Sequence, residues 1–180
     1  MDDKQARLQS RLGPEIREFR DAQQTLQLAS VDKQGNPCVS YSPFAYSEQG
    51  YFILISDLAQ HGQNLKVDPR VSLMMIEDES AAKHIFARRR LSFECQAKAV
   101  GREQALWQNG VDALRARFGE MIEQLSQLGD FNLYHLLPQK GRYVKGFGQA
   151  FDVSGQEMLD IVHLREGHVK QLKQQLSESS

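Results

Sequence analysis

Apolar residues recur every three or four positions at Leu8, Leu12, Ile16 and Phe19, which predicts a helix over about the first 20 residues. Gly13-Pro14 predicts a break in it, with Pro14 opening a second piece. The period then shortens. Residues 25–31 and 38–41 read as a hairpin around the turn residues of 32–37. Tyr51-Phe52-Ile53-Leu54-Ile55 is a continuous apolar run, as in a strand covered on both faces. Residues 58–65 predict a short helical connector, ended by Asp68-Pro69, and residues 71–76 the next strand. Leu91, Phe93, Cys95, Ala97 and Ala99 alternate with Ser92, Glu94, Gln96 and Lys98, the clearest strand signal in the chain.

Helical spacing returns at Trp107, Val111, Leu114, Phe118, Met121 or Ile122, and Leu125. This predicts an amphipathic helix or helix pair bent near Gly119. Residues 131–137 and 141–147 read as a final hairpin around Pro138-Gln139-Lys140, and residues 156–163 as a helix. Residues 169–180 are polar, and their tip is expected to fray. No repeat and no long linker divides the chain. The expectation is one domain over 1–180, with an N-terminal helix and a C-terminal extension. Six or seven strands with helices inserted late predict a mainly β fold with helices, a small antiparallel barrel.

Composition narrows the function. The 180 residues are 41% hydrophobic and 25% charged, ordinary for a globular protein. A net charge of −1 argues against non-specific nucleic-acid binding, which needs a broadly basic surface. The polar start has no signal-peptide core, and no stretch approaches the ~18 apolar residues of a membrane span. The expected compartment is the cytoplasm. Cys38 and Cys95 form no CxxC pair and fall in strands, as packing residues do.

Candidate chemistry gathers in three places. On the strand after Arg88, Leu91, Phe93 and Cys95 take the core face, so Arg88 and Arg90 share the outer face with Ser92 and Glu94. Two guanidinium groups there bind carboxylates or phosphates, or form a solvated charged edge. Asp130, after Gly129, is either a turn residue or an acceptor for a ligating imidazole. Val162-His163-Leu164-Arg165-Glu166-Gly167-His168 places a histidine on a terminal segment after a helix-like run. His168 is there a poor core residue, and either an idle surface group or an axial ligand for a large flat cofactor. Read with Arg90 and Asp130, it points to haem. His163 lies five residues earlier, about 140° around a helix at ~100° per residue, so one helix does not aim both at one ion. His61, His84 and His135 are scattered, which disfavours a structural zinc site. Lys145-Gly146-Phe147-Gly148-Gln149-Ala150-Phe151 lacks the spacing of GxGxxG or a P-loop and reads as a strand bend.

The order of parts resembles the flavin-binding split barrel of the pyridoxamine-phosphate-oxidase superfamily. The matching residues are Tyr51-Phe52-Ile53-Leu54-Ile55-Ser56, Asn64-Leu65, Asp68-Pro69-Arg70-Val71 and Leu73-Met74-Met75. Nearly the whole chain resembles the bacterial haem-utilisation HugZ/HutZ family. That resemblance is carried by Thr25-Leu26-Gln27-Leu28-Ala29, Ser72-Leu73-Met74-Met75-Ile76-Glu77-Asp78-Glu79, Phe86-Ala87-Arg88-Arg89-Arg90-Leu91, Val144-Lys145-Gly146-Phe147-Gly148-Gln149-Ala150 and the His163–His168 segment. It implies a homodimeric split barrel that binds haem at the dimer interface and degrades it with oxygen and an electron donor, a reductase or an ascorbate-like reductant, in iron acquisition. The product is a biliverdin-type tetrapyrrole, with iron released. The resemblance implies His168 as axial iron ligand, Asp130 of the other subunit as its acceptor, and Arg90 as a distal residue. His61 falls where flavin-binding relatives often carry a basic residue for the phosphate, and its lack of a fixed charge makes FMN the lesser expectation. The alternatives are a haem carrier or store without turnover, an FMN-dependent oxidoreductase on the same fold and, more weakly, an interaction module with no cofactor.

Overall fold

The structure is a computed structural model that describes residues 3–154 and 160–163, with side chains described over 6–154. Helix α1 runs unbroken over Asp3–Ala22 with Pro14 inside it, against the predicted break. A proline within a helix costs about 3 kcal/mol. Leu12, Ile16 and Phe19, at most 5% exposed, each contribute roughly 1.5–3 kcal/mol on burial, which outweighs it. Pro14 itself lies on the exposed side of the helix.

Strands β1 (Thr25–Val31) and β2 (Pro37–Pro43) form the expected hairpin. Short β3 (Ala45–Ser47) leads to β4 (Gly50–Ser56). Helix α2 (Gln60–Val67) is the connector to β5 (Arg70–Ile76). Two 3-10 turns, Glu79–Ala81 and Ile85–Ala87, precede β6 (Arg90–Val100). Helices α3 (Ala105–Phe118) and α4 (Met121–Gln127) are separated at Gly119, whose φ of 76° is a conformation open to glycine.

The long final strand departs from expectation. Instead of a hairpin at Pro138, β7 is one strand over Phe131–Gly146. One edge of β7 pairs with β6 throughout. The other edge pairs with β4 over residues 131–136 and with β8 (Gln149–Ser154) from Lys140 onward. Pro138 sits where neither strand is present, next to a bulge that leaves Gln139 unpaired with β6. A residue with no N–H to give is tolerated there.

The described sheet is antiparallel and nine-stranded, not six- or seven-stranded, in the order β2-β1-β5-β6-β7-β4-β3, with β8 and β9 branching from β7. β9 (Asp160–His163) replaces the end of the helix predicted over 156–163. The free edge of β8 gives its backbone partners, and Ile161 and Val162 are β-branched.

The apolar run of β4 is covered on both sides. Tyr51, Ile53 and Ile55 join the barrel core with Leu28, Leu73, Leu91 and Leu136 under α1. Phe52 points the other way, into a second core with Leu133, Val100, Trp107, Val111 and Ile122. Trp107 therefore caps this face of the chain's own sheet. Cys95 lies in the barrel core, where burial pushes its thiol up to about 12. Phe52 is fully buried, so Phe52→Ala is expected to cost about 3–5 kcal/mol in urea unfolding. It should also red-shift the emission of Trp107, the single tryptophan. An unchanged midpoint and spectrum would show that the second core does not hold α3.

Candidate functional site

Of the predicted site residues, Arg90 and Asp130 lie toward opposite ends of β7 and are not brought together within the described residues. Arg90 opens β6 and is half-buried. Its guanidinium donates to the Arg88 carbonyl at 3.2 Å, and among the described residues it has no carboxylate partner. Arg89 pairs with Glu77 at 2.9 Å. Arg88 does not share the outer strand face with Arg90, which corrects the expectation. It caps the preceding 3-10 turn, and its guanidinium turns back to the Glu77 carbonyl (Nε, 2.8 Å) and the Glu79 carboxylate (3.3 Å). Arg90 is thus the member of the triplet left with charge to offer an anion.

Arg90 stands beside a groove. Ser92 and Glu94 follow it on the outer face of β6, with Ser72 of β5, Lys140 and Arg142 of β7 and Asp152 of β8. Together with their neighbours they line an open groove of about 510 Å³, within the size range of ligand clefts. Arg142 is held by Asp152 at 3.0 Å. The same outer face continues across β5, β1 and β2 to Val39 and Tyr41, which are 79% and 66% exposed. Sequence reading did not single out Lys140 and Arg142, because their positions were assigned to a turn and a second strand.

Asp130 lies at the far end of β7, half-buried in a polar corner. Ser56 Oγ donates to its Oδ2 at 2.7 Å, and the Asp57 N–H donates to its carbonyl at 2.8 Å. Asn132 donates to Asp57 Oδ1 at 2.8 Å, and Lys66 pairs with Asp57 Oδ2 at 2.6 Å. Asp130 Oδ1 carries no hydrogen bond among the described residues. The signal for this corner was present in the sequence as Ser56-Asp57, the abrupt polar end of an apolar run.

The described histidines differ in use. His135 is buried, stacked on Phe52 at 4.9 Å, and bonded through Nε2 to the Gln49 carbonyl at 2.5 Å, a packing role. His84 lies by Phe147, ring centroids 6.0 Å apart. His61 is half-buried on α2, in the segment that follows Ser56-Asp57. Among the described residues, no group of His, Cys, Asp and Glu side chains could hold a metal ion. His168 lies outside the described residues.

Comparison with known proteins places this geometry. The family model of pyridoxamine 5′-phosphate oxidase matches residues 12–145. Over 167 residues, 93% of this chain and 95% of the relative, the sequence is 56% identical to heme oxygenase HutZ of Vibrio cholerae serotype O1. The chain belongs to the HutZ branch of the pyridoxamine 5′-phosphate oxidase family. A crystal structure of Vibrio cholerae HutZ, there called a heme storage protein, is similar with a TM-score of 0.69 at 54% identity, over 72% of this chain and 91% of that one. The structure of Campylobacter jejuni ChuZ is similar with a TM-score of 0.80 at 32% identity, over 88% of this chain and 65% of that one. The family's split barrel is the fold described above. No described helix is long and apolar enough to cross a membrane.

In this family member His61 has lost basicity, because burial disfavours its charged form. The unfolded chain takes up this proton near pH ~6.5 and the folded chain only at a lower pH. The His61 contribution to stability is therefore complete above ~6.5 and is lost as pH falls below that value and through the lower folded-state pKa. His61→Gln should shrink the difference between urea midpoints at pH 7.5 and pH 5.5. A difference equal to that of the unmodified chain would count against a buried neutral imidazole.

Proposed function

We propose that two copies of the chain bind haem between them and degrade it oxidatively to a biliverdin-type tetrapyrrole, releasing iron. Oxygen and an external electron donor, a reductase or an ascorbate-like reductant, are the co-reactants. His168 is the axial iron ligand and Asp130 of the second copy accepts its imidazole N–H. Arg90 faces the distal side or a propionate. The 56% identity to a heme oxygenase over nearly the whole chain carries the reaction class. The half-buried Arg90 beside an open groove and the unbonded Oδ1 of Asp130 suit an anionic, iron-centred substrate.

The two-copy reading is supported by reach. β9 ends at His163, paired with Phe151, which pairs with Tyr143. Five residues span at most ~18 Å of extended chain, which is the reach of position 168 from the end of β9. Asp130 is about thirteen residues from Tyr143 along β7, on the order of 40 Å of strand. That separation supports an Asp130 supplied by the second copy. The exposed Val39 and Tyr41 on the Arg90 face give that copy an apolar surface to cover.

Bound haem, once reduced, supplies the oxygen chemistry that opens its own ring. The protein's part is to hold and aim. Asp130 keeps the proton on the outer nitrogen of the imidazole and increases its donation to iron. Arg90 gives a charge-assisted hydrogen bond to an anionic oxygen. Neutral His61 provides no fixed charge for a flavin phosphate, consistent with haem rather than FMN as the group bound. The whole chain, 1–180, acts as one domain, in a cytoplasmic setting.

Storage without turnover is the second reading, since a HutZ structure carries the description of a storage protein. One titration separates them. Added haemin should raise a Soret band, saturating at one haem per chain, and ascorbate in air should then bleach it as a biliverdin-like band grows. A Soret band that survives ascorbate favours storage. His168→Ala should displace the Soret maximum and weaken binding, and an unchanged spectrum would remove the ligand assignment.

Sharing across copies has its own test. Chains bearing His168→Ala and chains bearing Asp130→Asn, each impaired alone, should regain about a quarter of normal turnover when co-refolded as a statistical mixture, because each mixed dimer restores one of two sites. No recovery would mean that both residues act within one chain.

A further inference from the structure

Asp130 is held ready by a residue to which no role has been assigned. β4 ends at Ser56, which pairs with Phe131, the residue after Asp130. The Ser56 hydroxyl accepts the Leu58 N–H at 3.1 Å and donates its one proton to Asp130 Oδ2 at 2.7 Å. Around this pair the backbone is fixed. The Asp57 N–H binds the Asp130 carbonyl, and the Asn132 amide reaches that carbonyl at 3.4 Å and Asp57 Oδ1 at 2.8 Å. Lys66 neutralises Asp57 at 2.6 Å. Helix α2 lies so close that a Cβ on Gly62 would fall 2.2 Å from the Ser56 carbonyl oxygen.

A carboxylate with two free oxygens swings about its χ2 torsion and offers either oxygen in many directions. Tying Oδ2 removes that freedom and leaves Oδ1 aimed along one line. We propose that Ser56 is a positioning residue: its hydroxyl locks Asp130 through Oδ2 and thereby presents Oδ1 to the axial imidazole. The inference rests on the pairing of Asp130 with His168. A serine that merely closed the turn to Leu58 would leave the iron unaffected, which separates the two roles.

The test uses the full chain loaded with haemin and reduced without oxygen, with the iron–imidazole stretching band read by resonance Raman. Thermal unfolding of each variant serves as the control for fold. Asp130→Asn sets the position of the band when the carboxylate is lost. Ser56→Ala should keep the Soret maximum, broaden the stretching band and move it part of the way to the Asp130→Asn position. Its turnover should fall about tenfold, as when an orienting partner of a metal ligand is removed. Ser56→Thr, which keeps the hydroxyl, should restore both. Ser56→Cys, nearly the same size with a weaker donor, carries the same readouts at less risk to the fold and should fall between serine and alanine. A normal band and turnover in Ser56→Ala, with a shifted band in Asp130→Asn, overturns the role of Ser56 and spares that of Asp130. A normal band in Asp130→Asn overturns the pairing itself, and the role of Ser56 with it.

Discussion

The pairing of β7 is the constraint on which the molecule depends. One strand of 16 residues serves two different neighbours along a single edge, and the changeover falls at Pro138 and Gln139. Below that point β7 belongs with β4 and the helices α3 and α4. Above it, β7 belongs with β8 and the outer groove. Because β6 spans both halves without interruption apart from one bulge, the two parts stay rigidly joined. The proline enforces the division by removing a donor where no acceptor is available.

That division sets the distance between the chemical groups. Arg90 pairs with Val144 near one end of β7, and Asp130 precedes the other end. A stiff strand keeps them apart within one copy. Among the described helices, α1 packs on the barrel core and α3 with α4 on the opposite layer, and neither joins the face that bears Arg90, the groove and exposed Val39 and Tyr41.

The arginines show how local partners decide which charge remains useful. Arg88, Arg89 and Arg90 are identical in kind and consecutive in sequence. The first two are held by the Glu77–Glu79 turn, and the third is not. Asp130 follows a related logic, with its backbone carbonyl and one carboxylate oxygen held by the protein and the other left over. In both places most of the polar capacity organises the fold, and what remains is Arg90 without a carboxylate partner and Asp130 Oδ1 without a hydrogen bond among the described residues.

Periodicity in the sequence determined the strands β1, β2, β4, β5 and β6, the core face of β6, the two-sided burial of β4, the α3–α4 pair and its bend at Gly119. These follow from local alternation or helical spacing, where each residue's side is set by its neighbours in the chain. The family, and with it Arg90, Asp130 and His168 as candidates, was legible through resemblance. What tertiary structure alone decided is long-range. Pro14 stays within a helix because distant strands bury Leu12, Ile16 and Phe19. Pro138 lies within a strand because β6 holds it on one side and neither β4 nor β8 reaches it on the other. Residues 160–163 extend because β8 offers an open edge. Arg88 turns inward, and Ser56 meets Asp130 across 74 residues of sequence, because sheet pairing brings together groups whose proximity no local pattern records.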